Sequence, residues 1–349
     1  MHTTYAQDYI KYHQTIMRAE EQAYVKQQIP EALKTYKQLF SQYDFVFVHD
    51  CVDAMQLALY VNDEKSFMVL VDKATQNGLL PRHMNMMRYI ARHPIYIKNK
   101  DSIVNITRRN RPHYLKRLDT AAIKTMYSLF IHDQNEKNGV GLTETEFRRQ
   151  YPLQIKQTMN DLHKFIAAKG WPSDKMIGID QDDLMIELGI GSPEVANYFV
   201  KRRTAKRSGT DEYNLSSGIV LPIIIHYANF HADNSNRRSL ILYSDSFYLN
   251  QIAIGNLHPK DLAFMYDERF HRLVGVEARP DPAKGEKYFA TGIHPNQTYR
   301  GEHDRIPAAE INVYRKQYFM CTIEQARAKV RFCQAHGFFL GWGWNGSRC

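Results

Sequence analysis

The sequence predicts a mainly α-helical protein in which N-terminal helical hairpins pack on a C-terminal helical domain with long loops. Three observations carry this. A helical pattern dominates the first hundred residues, the segment from Ala19 aligns with that from Ala54 at an offset of 35 residues, and Gly, Pro and N-cap residues punctuate the chain at helix-length intervals. The offset pairs Ala19 with Ala54, Ala23 with Ala58, Ala32 with Phe67, Tyr36 with Val71 and Leu39 with Ala74. Small side chains in the first helix of each pair let two helices approach closely, as stacked helix-turn-helix units require.

At these positions the chain resembles tetratricopeptide-type repeats, although the Trp and Gly of that consensus are absent and about two units are visible. Two units are too few for an independent solenoid, so they are expected to pack on the downstream part of the chain. Pro30 suits the first turn of a helix after Gln27 to Ile29, and Gly78 with Pro81 stops a helix after Asn77. Residues 1–95 are therefore read as the repeat region. The stretch from His93 to Pro112, holding Pro94, Asn99, Asp101 and Asn110, has little core-building power and reads as a linker, placed at 96–112.

Residues 113–299 form the helical domain. Tyr114 to Gln134 is helix-like and breaks at Gly139 and Gly141. Thr143 with Glu146 is a capping box opening a long helix to about Lys169, which Gly170, Trp171 and Pro172 end. Asp180 to Gly191 reads as a short helix, and Ser192, Pro193 and Glu194 start another through Arg207. Ile219 to Phe230 is a buried helix with Pro222 in its first turn, Ser239 to Gly255 is helix-like, and Pro259 opens a helix through Leu273. Glu277 to Arg305 reads as loop. In the extension from 300 to 349, Ile323 to Ala335 is amphipathic, and the tail from Gly337 sets Phe338, Phe339, Leu340, Trp342 and Trp344 among glycines.

With 349 residues, 44% apolar and 24% charged, the chain can bury a substantial core, which excludes wholesale disorder and a disulfide-stapled miniprotein. The longest apolar run, Ile219 to Ile225, is far too short for a membrane helix, and Met1 to His13 lacks the apolar core of a secretory signal. Four cysteines without paired spacing suit a reducing compartment, so a cytoplasmic protein is expected. Cys321, Cys333, His336 and Cys349 are the one set with any metal-ligand spacing, and only Cys333 and His336 stand close enough to pair. Reduced structural thiols explain them better, so neither metal nor cofactor is expected.

The net charge of +9 points toward acidic partners. Arg108 to Arg117 forms one basic cluster, and Lys201 to Arg207, including Arg202 and Arg203, forms another. A solvated helix face and a loop explain both. Phosphate or nucleic-acid contact through 201–207 is the minor alternative, because no nucleic-acid motif accompanies the charge.

Several polar residues stand in apolar settings: Asp133 and Gln134, His226, Asp245, and Asp267 with Arg269. A buried carboxylate needs a partner. Asp267 and Arg269, two apart, do not face each other on a helix, so Asp133, Gln134 and His226 are the expected partners.

Asp133-Gln134, Gly170-Trp171-Pro172 followed by Gly178, Ile223 to His226, Leu262 to Arg269, and Tyr288 with Thr291 stand in an order that resembles a bacterial family of helical domains of unknown function, often found downstream of tetratricopeptide-like helices. The match covers about residues 115 to 295 and implies a bacterial helical fold with a polar pocket but no assigned reaction. This chain departs from the pattern in three places. Lys137 stands near where an Arg is expected, Tyr288-Phe289-Ala290-Thr291 replaces Tyr-Gly-Thr, and an insertion occupies about 183–217.

Two functions of different class are compatible with these residues. The first is an interaction protein that captures a protein or peptide on its N-terminal helices, with Lys34, Lys37 and Lys73 as contacts. The second is a hydrolase or transferase in which His226 is general base, Asp133 or Asp267 orients it, and Arg269 stabilises an anionic oxygen. A satisfied core histidine explains His226 equally well. No G-x-S-x-G, H-E-x-x-H, P-loop or G-x-G-x-x-G is present.

Overall fold

Asp8 begins the first helix because its carboxylate accepts the otherwise unpaired amides of Ile10 and Lys11, at 3.0 and 3.3 Å. The computed structural model describes residues 7–137, 143–190, 215–230, 240–271, 287–291 and 306–340. Helices are the only regular elements among them, which makes the protein mainly α. The chain divides into two compact units. One joins Met1–Lys116 to Tyr243–Cys349, and the other is Arg117–Leu242.

In the first unit α1 (Tyr9–Glu20) runs on through a π-helical turn at Glu21–Val25, followed by α2 (Ile29–Ser41), α3 (Val48–Tyr60) and α4 (Glu64–Gln76). Helix α1 packs on α2, and α3 on α4. All ten side chains paired by the 35-residue offset are buried. Pro30 lies in the first turn of α2, and Asp63 caps α4 by accepting the Ser66 amide at 2.9 Å. Gly78, just past α4, has φ +103°, and a Cβ there would lie 2.5 Å from the Tyr114 ring, so only glycine fits.

After α4 come α5 (Pro81–Met86) and α6 (Arg88–Arg92), and the stretch expected to be a linker is helical too, in α7 (Pro94–Lys98) and α8 (Lys100–Arg117). Low apolar content suggested otherwise, but tertiary contacts hold it. Helix α8 tolerates Pro112 while burying Ile103, Asn110 and Tyr114, and the Asn110 amide donates to the Asp72 carbonyl and carboxylate and to Thr75 Oγ1, at 2.8 to 3.1 Å.

The second unit contains α9 (Thr120–Lys137), α10 (Glu144–Lys169), α11 (Asp174–Ile177), α12 (Gln181–Glu187) and α13 (Ser217–Phe230). Helices α9, α10 and α13 pack against one another. Ala122, Met126 and Phe130 bury one stripe of α9, and Ile155, Met159, Leu162 and Ile166 bury one stripe of α10. Ile219, Val220, Leu221, Ile223, Ile224 and Ile225 are all buried on α13, so this helix is the centre of the unit. The capping box at Thr143 forms as expected, with the Glu146 carboxylate accepting the Thr143 amide at 2.9 Å, and Gly170 closes α10 at φ +83°. Pro222 lies inside α13 rather than in its first turn, because the helix starts at Ser217.

The chain then returns to the first unit with α14 (Asp245–Ala253), capped by Ser244, and α15 (Pro259–His271), followed by α16 (Ala308–Gln317) and α17 (Ile323–Ala335). Residues 243–299, expected in one domain with 113–242, thus group with the N-terminal helices. The helix expected from Ser239 is shorter, since the Ser244 hydroxyl accepts the Phe247 amide and fixes the start at Asp245. Helix α17 occupies the residues expected of it, behind a Thr322–Gln325 capping box. The helix expected from Pro193 to Arg207 lies outside the described residues. Among the described residues, no helix is long and apolar enough to cross a membrane.

Candidate functional site

Asp133 continues the buried stripe of Ala122, Met126 and Phe130 by one turn, so helical geometry carries its carboxylate into the core of the second unit. His226 ends the apolar run of α13. Helix packing brings them together: His226 Nδ1 lies 2.9 Å from Asp133 Oδ1 and 2.8 Å from Oδ2, and the side chains are 6% and 1% exposed. A carboxylate on Nδ1 fixes the proton there and leaves Nε2 as the basic nitrogen. Gln134 Nε2 donates to Asp133 Oδ2 at 2.8 Å and anchors the carboxylate from its own helix. A base with an orienting acid is the arrangement that general base catalysis needs.

Asp267 does not take the partners expected of it. It lies fully buried in the first unit, where it accepts the amides of Phe289 and Thr291 at 2.7 and 2.6 Å and the Thr291 hydroxyl at 2.8 Å. Arg315, also fully buried, donates to the carbonyls of Phe289 and Cys321, both at 2.6 Å. Burial pushes the Asp267 carboxyl up to about 6, against the pull of these donors and the Arg315 charge. Asp267 is thus the clamp that holds the segment 287–291 to α15. Arg269 lies on α15, and its side chain is outside the described residues. Asp245 accepts from Tyr266 and Lys287, and the Lys287 ammonium also reaches the Tyr318 hydroxyl at 3.0 Å.

Of the lysines read as partner contacts, Lys34 is exposed, Lys37 donates to Ser66 Oγ at 2.6 Å and Lys73 to the Tyr43 carbonyl at 2.5 Å. Arg202 and Arg203 lie outside the described residues, as does Cys349. Cys321 and Cys333 are buried and in no disulfide, Cys321 Sγ lies 3.7 Å from Arg315, and His336 packs on Phe332 and Tyr60.

The first unit holds a second polar cluster that the sequence did not disclose. Helix α3 is buried from Val48 through Leu59, yet carries His49, Asp50, Asp53 and Gln56. Each finds a partner on another helix or segment. Asp50 Oδ2 accepts the Tyr12 hydroxyl at 2.7 Å, Asp53 pairs with Lys329, Gln56 exchanges hydrogen bonds with the Phe339 backbone, and His49 Nε2 lies 2.9 Å from His258 Nε2. Glu20 receives Lys329 at 2.6 Å and Lys260 at 3.3 Å, and these ammonium charges hold its carboxyl at about 2 despite burial. Burial pushes Asp50 up to about 7 and holds His49 and His258 well below the usual imidazole value, so both rings are neutral at pH 7.

The polar stripe on α3 was a usable signal: positions 49, 50, 53 and 56 share one helical face. It was misleading because such a stripe ordinarily marks the solvent side. No family model, curated protein or solved structure matches the chain.

Proposed function

We propose that the chain is an acid–base enzyme of the hydrolase or transferase class, with His226 as general base and Asp133 as the residue that orients it. The observation that carries this reading is the two-oxygen hold of Asp133 on His226 Nδ1, at 2.9 and 2.8 Å, which dedicates Nε2 to proton transfer. Gln134 fixes the carboxylate from the same helix. With Asp267 committed to Phe289 and Thr291, the orienting role falls to Asp133. The resemblance to the bacterial helical family at Asp133-Gln134 and Ile223 to His226 supports a polar site in the second unit. We place the protein in a bacterial cytoplasm, in keeping with its sparse, unpaired cysteines.

The test is turnover of a panel of activated esters, amides and phosphoesters by the intact chain, His226→Gln and Asp133→Asn, with circular dichroism as the folding control. Expected is a wild-type rate that Asp133→Asn lowers by roughly 10²- to 10⁴-fold while the helical signal stays. Turnover unaffected by both changes, or absent across the panel, overturns the reading.

A second reading is capture of a protein or peptide by the tetratricopeptide-like N-terminal helices. Its support is the exposure of Val69 on α4, at 50%, in the same unit as the exposed Lys34. Pull-down with Lys34→Glu and Val69→Asp tests it, and unchanged capture counts against it.

A further inference from the structure

We infer that His49, Asp50 and His258 form a binding site for one divalent transition-metal ion of the zinc class. The inference is independent of the acid–base reading, because these residues belong to the first unit and Asp133 and His226 to the second.

Ligand geometry is the first support. The three residues each offer one donor atom, and these atoms all lie within 4.8 Å of one another. His49 Nε2 is 2.9 Å from His258 Nε2 and 3.3 Å from Asp50 Oδ1, and His258 Nε2 is 4.0 Å from Asp50 Oδ2. Donors about 2.0 to 2.1 Å from a tetrahedral ion stand roughly 3.3 Å apart, so small side-chain adjustments seat one ion among all three. Two imidazoles and a carboxylate suit zinc and its first-row neighbours better than calcium or magnesium, which prefer all-oxygen ligands.

Hydrogen-bond accounting is the second support. The Lys260 amide donates to His258 Nδ1 at 3.1 Å, which places that ring's proton on Nε2. His258 Nε2–H then donates to His49 Nε2, so the His49 nitrogen 3.3 Å from Asp50 Oδ1 is an acceptor facing an acceptor. Asp50 Oδ1 has no hydrogen-bond partner among the described residues, although Asp50 is 1% exposed. A cation at this point serves the Asp50 oxygen and takes the place of the His258 N–H on His49 Nε2. Ligation through His258 Nε2 moves its proton to Nδ1 and gives up the bonds from the Lys260 amide and to His49, two neutral hydrogen bonds exchanged for three metal–ligand bonds.

Charge balance is the third. Around the site stand the carboxylates of Glu20, Asp50 and Asp53 and the ammonium groups of Lys260 and Lys329. A divalent cation bound to Asp50 adds positive charge where these carboxylates gather. His13 stands beside these donors. It is buried, lacks a partner among the described residues, and its ring centroid is 5.0 Å from that of His258. Because His49, Asp50 and His258 are all buried, the site is closed and its role is structural, pinning α3 to the start of α15.

The experiment uses the intact chain, stripped with EDTA and dialysed against zinc(II) or cobalt(II) chloride. Expected are about one equivalent of metal by mass spectrometry, a cobalt visible spectrum of tetrahedral nitrogen and oxygen ligation without a thiolate band, and a zinc-dependent rise in melting temperature on the order of 5 to 10 °C in large excess over Kd. His49→Gln and Asp50→Asn are expected to lose the metal, and Cys333→Ser to keep it. Should a variant fail to fold, nitrogen NMR of the wild type reads the same site, since zinc is expected to move the His258 proton from Nε2 to Nδ1. Less than about a tenth of an equivalent with an unchanged melting temperature overturns the site, and so does a cobalt spectrum dominated by thiolate.

Discussion

The two units each bury a group of ionisable side chains, but they handle the charge differently. In the second unit a single carboxylate meets a single imidazole, and among the described residues Asp133 is answered by His226 and Gln134. In the first, Glu20, Asp50, Asp53, Lys260, Lys329 and a set of histidines share partners across α1, α3, α15 and α17. A closed pair fixes one proton and one ring orientation, which is what proton transfer asks of a base. A branched network with an unserved carboxylate oxygen has capacity for a cation. The same residue types therefore point to catalysis in one place and to ligation in the other, and the number of unserved lone pairs makes the difference.

Lys329 is where this contrast breaks most sharply. Its ammonium is 3% exposed, contacts both Glu20 and Asp53, and lies 5.3 Å from the Tyr24 ring centroid. Lys329→Ala leaves two buried carboxylates with less than full compensation and is expected to cost about 3 to 5 kcal/mol in urea unfolding. A cost under about 1 kcal/mol means that the network is hydrated and its charges are not truly buried.

Glu20→Gln is next, with a pH signature. The Glu20 carboxyl is held at about 2, below its ordinary 4.5, by Lys260 and Lys329. A depressed acid binds protons less tightly when folded, so its contribution is complete above about pH 4.5 and is lost as the pH falls toward 2. Linkage sets that contribution at about 3 kcal/mol. Stability of Glu20→Gln relative to wild type is expected to be lowest at neutral pH and to converge with it near pH 2. A parallel offset across the whole range removes the ion-pair explanation.

Asp267 has the opposite slope. With its carboxyl raised to about 6 by burial, the folded chain holds the proton more tightly than the unfolded one, so stability is greatest below about pH 4 and falls as the pH rises through 6. The fall amounts to about 3 kcal/mol. Asp267→Asn is expected to flatten this limb in a melting series from pH 4 to 7, and an undiminished slope in the variant assigns it to other groups.

How much the sequence disclosed depends on how local each signal is. Asp133 was legible because it extends an apolar stripe by a turn, and His226 because it closes an uninterrupted aliphatic run. The cap at Thr143 and the stop at Gly170 are chemistry within a few residues, and they fell where expected. The offset from Ala19 to Ala54 marked positions that are all buried, although a repeat family is a further step. The first-unit cluster was hidden because His49 and His258 are 209 residues apart and Asp53 and Lys329 276, and no periodic pattern links them. The stretch 96–112 misled for a related reason: Asn110, a loop former by propensity, is there to bond Asp72 and Thr75, a tertiary fact.

The smallest expected effect sharpens the contrast most. Asp133→Asn is the same carboxyl-to-carboxamide change as Glu20→Gln, made in the closed pair rather than in the network. Asparagine keeps an oxygen that can accept from His226 Nδ1, so the hydrogen bond survives the change. Its cost in urea unfolding is therefore expected to stay within about 1 kcal/mol, the worth of one ordinary hydrogen bond, while Glu20→Gln costs about three times as much. Equal losses for the two variants mean that His226 is protonated and the pair is an ion pair holding α9 to α13. A small loss at Asp133, together with a large loss of turnover, separates a residue kept for its chemistry from residues kept for the fold.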